Sequence, residues 1–169
     1  MSPVTIFFII FISILIFIAW SQFFGAPWIP SSHKSINRIL ELAAIKPGDV
    51  VYDLGSGDGR ILLEAAKKYK ADARGVEIDP IRYLLSKLKI FFFRQSDNAK
   101  VRLGNLFSLD LRDADIVIVY LLQETNDRLV EKLTKELSPG TKVISNTFIF
   151  NGLKPVLSDE KMRIHLYEL

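Results

Sequence analysis

An open, mostly parallel α/β sheet with helices on both faces, an antiparallel C-terminal strand and one N-terminal transmembrane helix is the fold class the sequence predicts. Three observations predict it. Short β-type runs alternate with helical apolar periodicities from about residue 33 onward. One such run, Val50-Val51-Tyr52-Asp53-Leu54, breaks into Gly55-Ser56-Gly57-Asp58-Gly59 just before a helical pattern begins, as in a strand, tight turn and helix. No charged side chain precedes Lys34, and Val4 to Phe24 is Ile, Phe and Leu almost throughout.

As a helix, Val4–Phe24 is long enough to cross a hydrocarbon core of about 30 Å. A cleaved signal peptide would want a Lys or Arg before the apolar run and a shorter segment ending in small residues, and neither cue is clear. The expectation is therefore a retained single-pass anchor over 1–26 and one globular domain over 27–169. Lys34, Arg38 and Lys46 follow the span while nothing basic precedes it, which puts the domain on the cytoplasmic side of the membrane. The net charge of +3 is mild and its cations are scattered among acids, so no nucleic-acid track is expected. With no cysteine and only two histidines, His33 and His165, no disulfide or metal site is expected.

Pro27 and Pro30 predict an extended connector, whose serines can cap a helix carrying Ile36, Ile39, Leu40, Ala43 and Ala44. Lys46-Pro47-Gly48-Asp49 is expected to end that helix, and the first strand runs from Val50 to Leu54. Ile61, Leu62, Ala65, Ala66 and Tyr69 mark the next helix. The second strand, Ala73 to Asp79, passes into a helix opening at Pro80 with Asp79 as its cap. Strands at Lys100–Leu103 and Ile116–Tyr120 are so close that the helix between them must be shortened or absent. A helix with Leu129, Val130, Leu133 and Leu137 inward stops at Pro139-Gly140. A strand at Lys142–Asn146 and two segments near Leu153–Leu157 and Arg163–Leu169 complete the sheet, the last pair antiparallel.

The glycine turn carries the chemistry. A dinucleotide fingerprint, G-x-G-x-x-G, sets its third glycine one residue later and cradles a pyrophosphate. Here Asp53 and Asp58 bracket the turn; two carboxylates would repel a pyrophosphate and attract a ligand bearing an ammonium and a sulfonium, as S-adenosylmethionine does. A purely structural βα turn is the bland alternative. Glu77, at the end of the second strand and about twenty residues past the turn, sits where such units place the carboxylate that grips ribose hydroxyls. Ile78 beside it can cover one adenine face.

Asp53, Gly55, Gly57 and Gly59 resemble the first motif, D-x-G-x-G-x-G, of the S-adenosylmethionine-dependent methyltransferases with a Rossmann-like fold. Together with Trp28-Ile29-Pro30-Ser31, Gly75-Val76-Glu77-Ile78, Tyr120-Leu121-Leu122 and Val143-Ile144-Ser145-Asn146, the soluble part is similar to the small protein-lysine methyltransferases of archaea and mitochondria. That resemblance implies S-adenosyl-L-methionine as cofactor and a protein substrate with an accessible lysine, membrane-associated if the anchor is real. It implies donor contacts at Ser31, Asp53, Gly55, Ser56, Gly57, Gly59, Glu77, Ile78, Asn105 and Leu106. Ser31 would keep a hydroxyl for the methionine carboxylate, and Asn105 lies where this fold commonly sets an acid or amide near the adenine amino group. Tyr120 is the catalytic candidate, orienting the amine or lining the methyl channel; an aromatic merely closing the strand is the rival reading. Methylation of a lipid head group, a quinone precursor or another small molecule, and donor binding without catalysis, are the alternatives.

One segment stands apart. Ile81, Leu84, Leu85 and Leu88 predict the buried face of the fourth helix, and Phe91-Phe92-Phe93 then exceeds what one face can bury. One or two rings can join the core; the alternative is that a ring emerges as a membrane contact, flanked by Lys87, Lys89 and Arg94.

Overall fold

Parallel pairing around the strand that precedes the glycine turn organises the domain. The computed structural model describes residues 2–23 and 31–169, with side chains in the first segment described through residue 13. In chain order the elements are α1 (Pro3–Phe23), α2 (His33–Ala43), β1 (Val50–Leu54), α3 (Arg60–Tyr69), β2 (Asp72–Glu77), α4 (Pro80–Phe92) and β3 (Ala99–Leu103). A single 3-10 turn at Leu106–Ser108 precedes β4 (Ile116–Val119), α5 (Gln123–Glu136), β5 (Lys142–Asn146), β6 (Leu157–Asp159) and β7 (Ile164–Glu168). The sheet order is β3-β2-β1-β4-β5-β7-β6, with the first five strands parallel and β7 antiparallel to both β5 and β6. The α/β reading and its antiparallel end are thus borne out.

Strand alternation divides the core into two layers. Val51, Ile116, Ile118 and Ile144 pack with Ile36, Ile39 and Leu40 of α2, Leu62 and Ala65 of α3 and Ile90 of α4. Tyr52, Leu54, Val117, Val119 and Val143 pack on the other side with Leu129 and Leu133 of α5. Ser32 caps α2 by accepting the Ser35 N–H at 3.1 Å. Asp79 caps α4 by accepting from Ile81 N at 2.8 Å and Arg82 N at 3.3 Å. α2 stops sooner than expected, because Ala44 takes a left-handed conformation with φ +50° and turns the chain before Pro47. The short link between β3 and β4 has the shortened helix that its length predicts, a single turn.

Three expectations need correction or qualification. β6 begins at Leu157 rather than Leu153, since the turn around Gly152, with φ +91°, and Pro155, which has no N–H, delay pairing. Ile81, Leu84, Leu85 and Leu88 do not form the buried face of α4: they are 37%, 55%, 46% and 44% exposed, and Ser86 and Ile90 face inward instead. The rotation is fixed by what the inward side must meet. A Cβ on Gly59 would lie against the Ser86 hydroxyl and 3.3 Å from its Cα, so the α4 backbone passes directly over the glycine turn. The expected span over 4–24 is the third. The backbone of 3–23 is one α-helix, but among the described residues no helix is long and apolar enough to cross a membrane. The part of α1 with described side chains is about half of the ~20 residues that a span needs. The connector at 25–30 lies outside the described residues.

Candidate active site

The chain leaves β1 and β4, neighbours in the sheet, toward opposite edges, and the crevice opens where the order reverses, at the carboxyl ends of the strands. It has a volume of about 510 Å³, in the range of small-molecule sites. The segments after β1, β2 and β3 wall one half, and those after β4 and β5 wall the other.

Gly55 and Gly59 hold φ values of +83° and +77°, which L-residues with side chains rarely adopt. At Gly55 a Cβ would also sit 2.8 Å from Leu121 Cδ2, a methyl that can move, so conformation is what demands glycine there. Four backbone donors of the turn are spent inside the protein. Gly55 N and Ser56 N donate to the Val76 carbonyl at 2.9 and 3.0 Å, Gly59 N donates to Ser56 O at 2.9 Å, and Gly57 N donates to Glu77 Oε2 at 2.7 Å. A phosphate cradle would leave such N–H groups free for its anion. Here a carboxylate occupies that role.

Glu77 is buried and its second oxygen, Oε1, accepts the Asp79 N–H at 2.9 Å. Each oxygen keeps a lone pair, and the residue lines the crevice. Asp53 lies beneath the turn, 3% exposed, and among the described residues no donor reaches its carboxylate. Burial above all, then the negative charges of Glu77 and Asp58, push its pKa up to about 8.

Asp58 behaves differently from the sequence expectation that it draws a cationic ligand. Arg60 Nη2 reaches its Oδ2 at 2.7 Å, and Lys89 Nζ, from α4, reaches the same oxygen at 2.6 Å. Burial alone would raise its pKa, but these two cations outweigh it and hold the carboxyl below the usual range. Arg60 also donates to the Ser31 carbonyl at 2.8 Å, which fixes Ser31, nearly buried, at the crevice wall. The acids available to a ligand are therefore Asp53 and Glu77.

The crevice also brings together Ser31, Ser56, Ile78, Asn105, Leu106 and Tyr120. Ile78 is 47% exposed, an apolar side chain left uncovered. The Ser56 hydroxyl is buried without a hydrogen-bond partner. Asn105 Oδ1 accepts the Phe107 N–H at 3.0 Å and so caps the 3-10 turn, keeping one lone pair and its amide protons. Tyr120 follows the end of β4, and among the described residues its hydroxyl meets no hydrogen-bond partner.

Sequence reasoning missed the far wall, Thr125, Arg128, Thr147 and Phe148. Thr147 has φ +76°, a strained value for a β-branched residue, and nothing local in the sequence signals it. A signal did exist for its support. Asn126 falls on the apolar stripe of α5 with Leu129 and Leu133, is fully buried, and donates to Ser145 Oγ at 3.0 Å and Phe148 O at 3.1 Å. A polar residue on a buried stripe is there to hold something, here the loop after β5.

An open sheet with its crevice at the reversal point, a glycine turn whose Gly57 N–H is taken by a carboxylate, and buried acids beside it fit the fold of an S-adenosylmethionine-dependent methyltransferase. The buried Ser56 hydroxyl, the uncovered Ile78 and the free lone pairs of Glu77 suit the polar and apolar ends of that donor. The chain belongs to the family described as the ANTKMT methyltransferase domain, whose model matches residues 53–157. A protein-lysine N-methyltransferase of Saccharolobus islandicus is 40% identical over 130 residues, 76% of this chain and 81% of the relative. The adenine nucleotide translocase lysine N-methyltransferase of Mus musculus is 33% identical over 77% of this chain, which spans about half of that protein (56%). Among solved structures, an RNA methyltransferase from Salinibacter ruber in complex with S-adenosyl-L-homocysteine superposes with a TM-score of 0.79 at 35% identity, over 83% of this chain and 93% of that one.

The raised pKa of Asp53 sets a stability test. Between the ordinary carboxylate range and about pH 8 the folded protein binds a proton at Asp53 that the unfolded chain has lost, so this residue lowers stability as pH rises through that window. In urea unfolding without donor, Asp53→Asn should gain on the parent protein by about 1 kcal/mol per pH unit between about pH 5 and 7, levelling above about pH 8. A stability difference independent of pH would place the Asp53 pKa at its ordinary value.

Proposed function

We propose that this chain is a protein-lysine N-methyltransferase, carried on the cytoplasmic face of a membrane by its own N-terminal helix. The observation that carries the acceptor class is how little stands over the crevice after β3. A single 3-10 turn stands at Leu106–Ser108 where a full helix would roof a small-molecule pocket, and a lysine on a protein surface needs such an approach. The names of the Saccharolobus and mouse relatives support the same class. In this reading Glu77 accepts from both ribose hydroxyls, Ile78 and Leu106 flank the adenine, Asn105 meets its amino group, and Ser31 and Asp53 face the methionine carboxylate and ammonium.

The reaction is an in-line displacement, so the protein must aim a neutral amine at the donor methyl and exclude competing water. A free lysine is neutral only about once in 2,500 at pH 7, a cost of roughly 4 to 5 kcal/mol unless desolvation lowers its pKa. In this reading Tyr120, which lines the crevice, orients that amine by accepting or donating one hydrogen bond. The anchor reading rests on length and charge. At 1.5 Å per residue the 21 residues of α1 reach about 30 Å, the thickness of a hydrocarbon core, and Lys34, Arg38 and Lys46 follow on the side retained in the cytoplasm.

Labelled donor incubated with the full chain and membrane extracts tests the acceptor: label in protease-sensitive material that survives ribonuclease and lipid extraction supports the proposal, whereas label in RNA or lipid overturns it. Glu77→Ala should weaken donor binding by about 2 kcal/mol or more in calorimetry, from loss of two charge-assisted hydrogen bonds; unchanged affinity would remove Glu77 from the donor site. Tyr120→Phe should lower turnover while donor affinity holds. Equal turnover would leave Tyr120 as channel lining.

A further inference from the structure

A surface helix of a water-soluble domain normally turns its polar side outward. α4 does the reverse. At about 100° per residue, Ile81, Leu84, Leu85, Leu88, Phe91 and Phe92 fall within an arc of roughly 120°, and every one of them is exposed, Phe91 to 69% and Phe92 to 75%. The polar residues lie on the inner side: Ser86 against Gly59, Lys89 on Asp58, and Arg82 on Asp79 at 3.6 Å. The donor turn consumes the polar side of α4 and leaves its apolar side to something else.

We infer that the outward face of α4 is a second, peripheral membrane contact that docks on an anionic lipid surface. Charge selects this occupant. From Pro80 to Ser96 the sequence holds four cations, Arg82, Lys87, Lys89 and Arg94, and no carboxylate. Lys87 lies along one border of the stripe, its Nζ 5.6 Å from the Tyr83 ring, and among the described residues neither Lys87 nor Arg94 has a carboxylate within ion-pair distance. Cations beside exposed aromatic rings fit the boundary between acyl chains and anionic head groups. A second copy pairing through the same face would offer Lys87 and Arg94 no carboxylate, since 80–96 holds none. At the C-terminal end Lys67 lies 4.7 Å over the Phe93 ring, which leaves the Phe91–Phe92 pair, edge to face at 5.8 Å, as the projecting tip.

This surface does not depend on α1 and is tested separately from it. The chain has no cysteine, so one nitroxide can be placed at Leu88→Cys, on the stripe, at Ser13→Cys, on α1, or at Glu131→Cys, on the exposed side of α5. Each full-length protein is mixed with phosphatidylcholine vesicles containing or lacking phosphatidylglycerol, and collisions with oxygen and with a water-soluble nickel chelate are measured. The label at Leu88 should lose nickel accessibility at least about threefold in the anionic vesicles, Phe91→Ser with Phe92→Ser should restore it, and the label at Glu131 should stay wet throughout. Lipid protection at Ser13 with a wet Leu88 overturns this inference and leaves the anchor standing; the opposite result sinks the anchor and sustains α4. Spin–spin broadening at Leu88 that is independent of lipid would replace the membrane by a second copy and overturn the inference too.

Discussion

The Glu77 carboxylate joins the two loops on which the donor crevice is built. One oxygen holds the Gly57 N–H of the turn after β1, and the other holds the Asp79 N–H at the cap of α4. The strands beneath are already in register, with Leu54 opposite Val76, and the Val76 carbonyl takes two further N–H groups from the turn. A carboxylate held by two fixed backbone donors has one orientation at the crevice wall and needs no further adjustment. Remove that clamp and the turn, the cap and the start of α4 lose their common reference.

Around this clamp the crevice divides into unlike halves. In the proposed reading, the donor half is made of a turn with four of its N–H groups spent and of acids at the ends of β1 and β2. The acceptor half is made of side chains after β4 and β5, held by the Asn126 amide through Ser145 and Phe148. A family that keeps the first half and varies the second can serve many substrates. That fits relatives named for acceptors as different as the adenine nucleotide translocase and a component of ATP synthase.

Much of this is legible in the amino-acid order by itself. β1 and β5 fall at the residues where apolar runs end in turn signals, and Asp53, Gly55, Gly57 and Glu77 line one crevice, while Gly59 packs against Ser86 instead. What is not legible depends on partners distant along the chain. Nothing near Asp58 announces that Lys89, 31 residues on, will neutralise it. Periodicity finds the apolar stripe of α4 but cannot say which way it faces, because burial of the opposite side is decided by Gly59 and Asp58. Thr147 gives no sign of its left-handed backbone, whereas Asn126 is a readable anomaly on an apolar stripe.

The contact between Gly59 and Ser86 also bears on how such a chain can change over generations. Position 59 has no room for any side chain, and Ser86 is fully buried against it. Inherited variation in α4 is thereby channelled to the side turned away from the donor site. Lineages can retune the outer stripe for different surroundings, residue by residue, while the half of the helix that serves the cofactor stays the same.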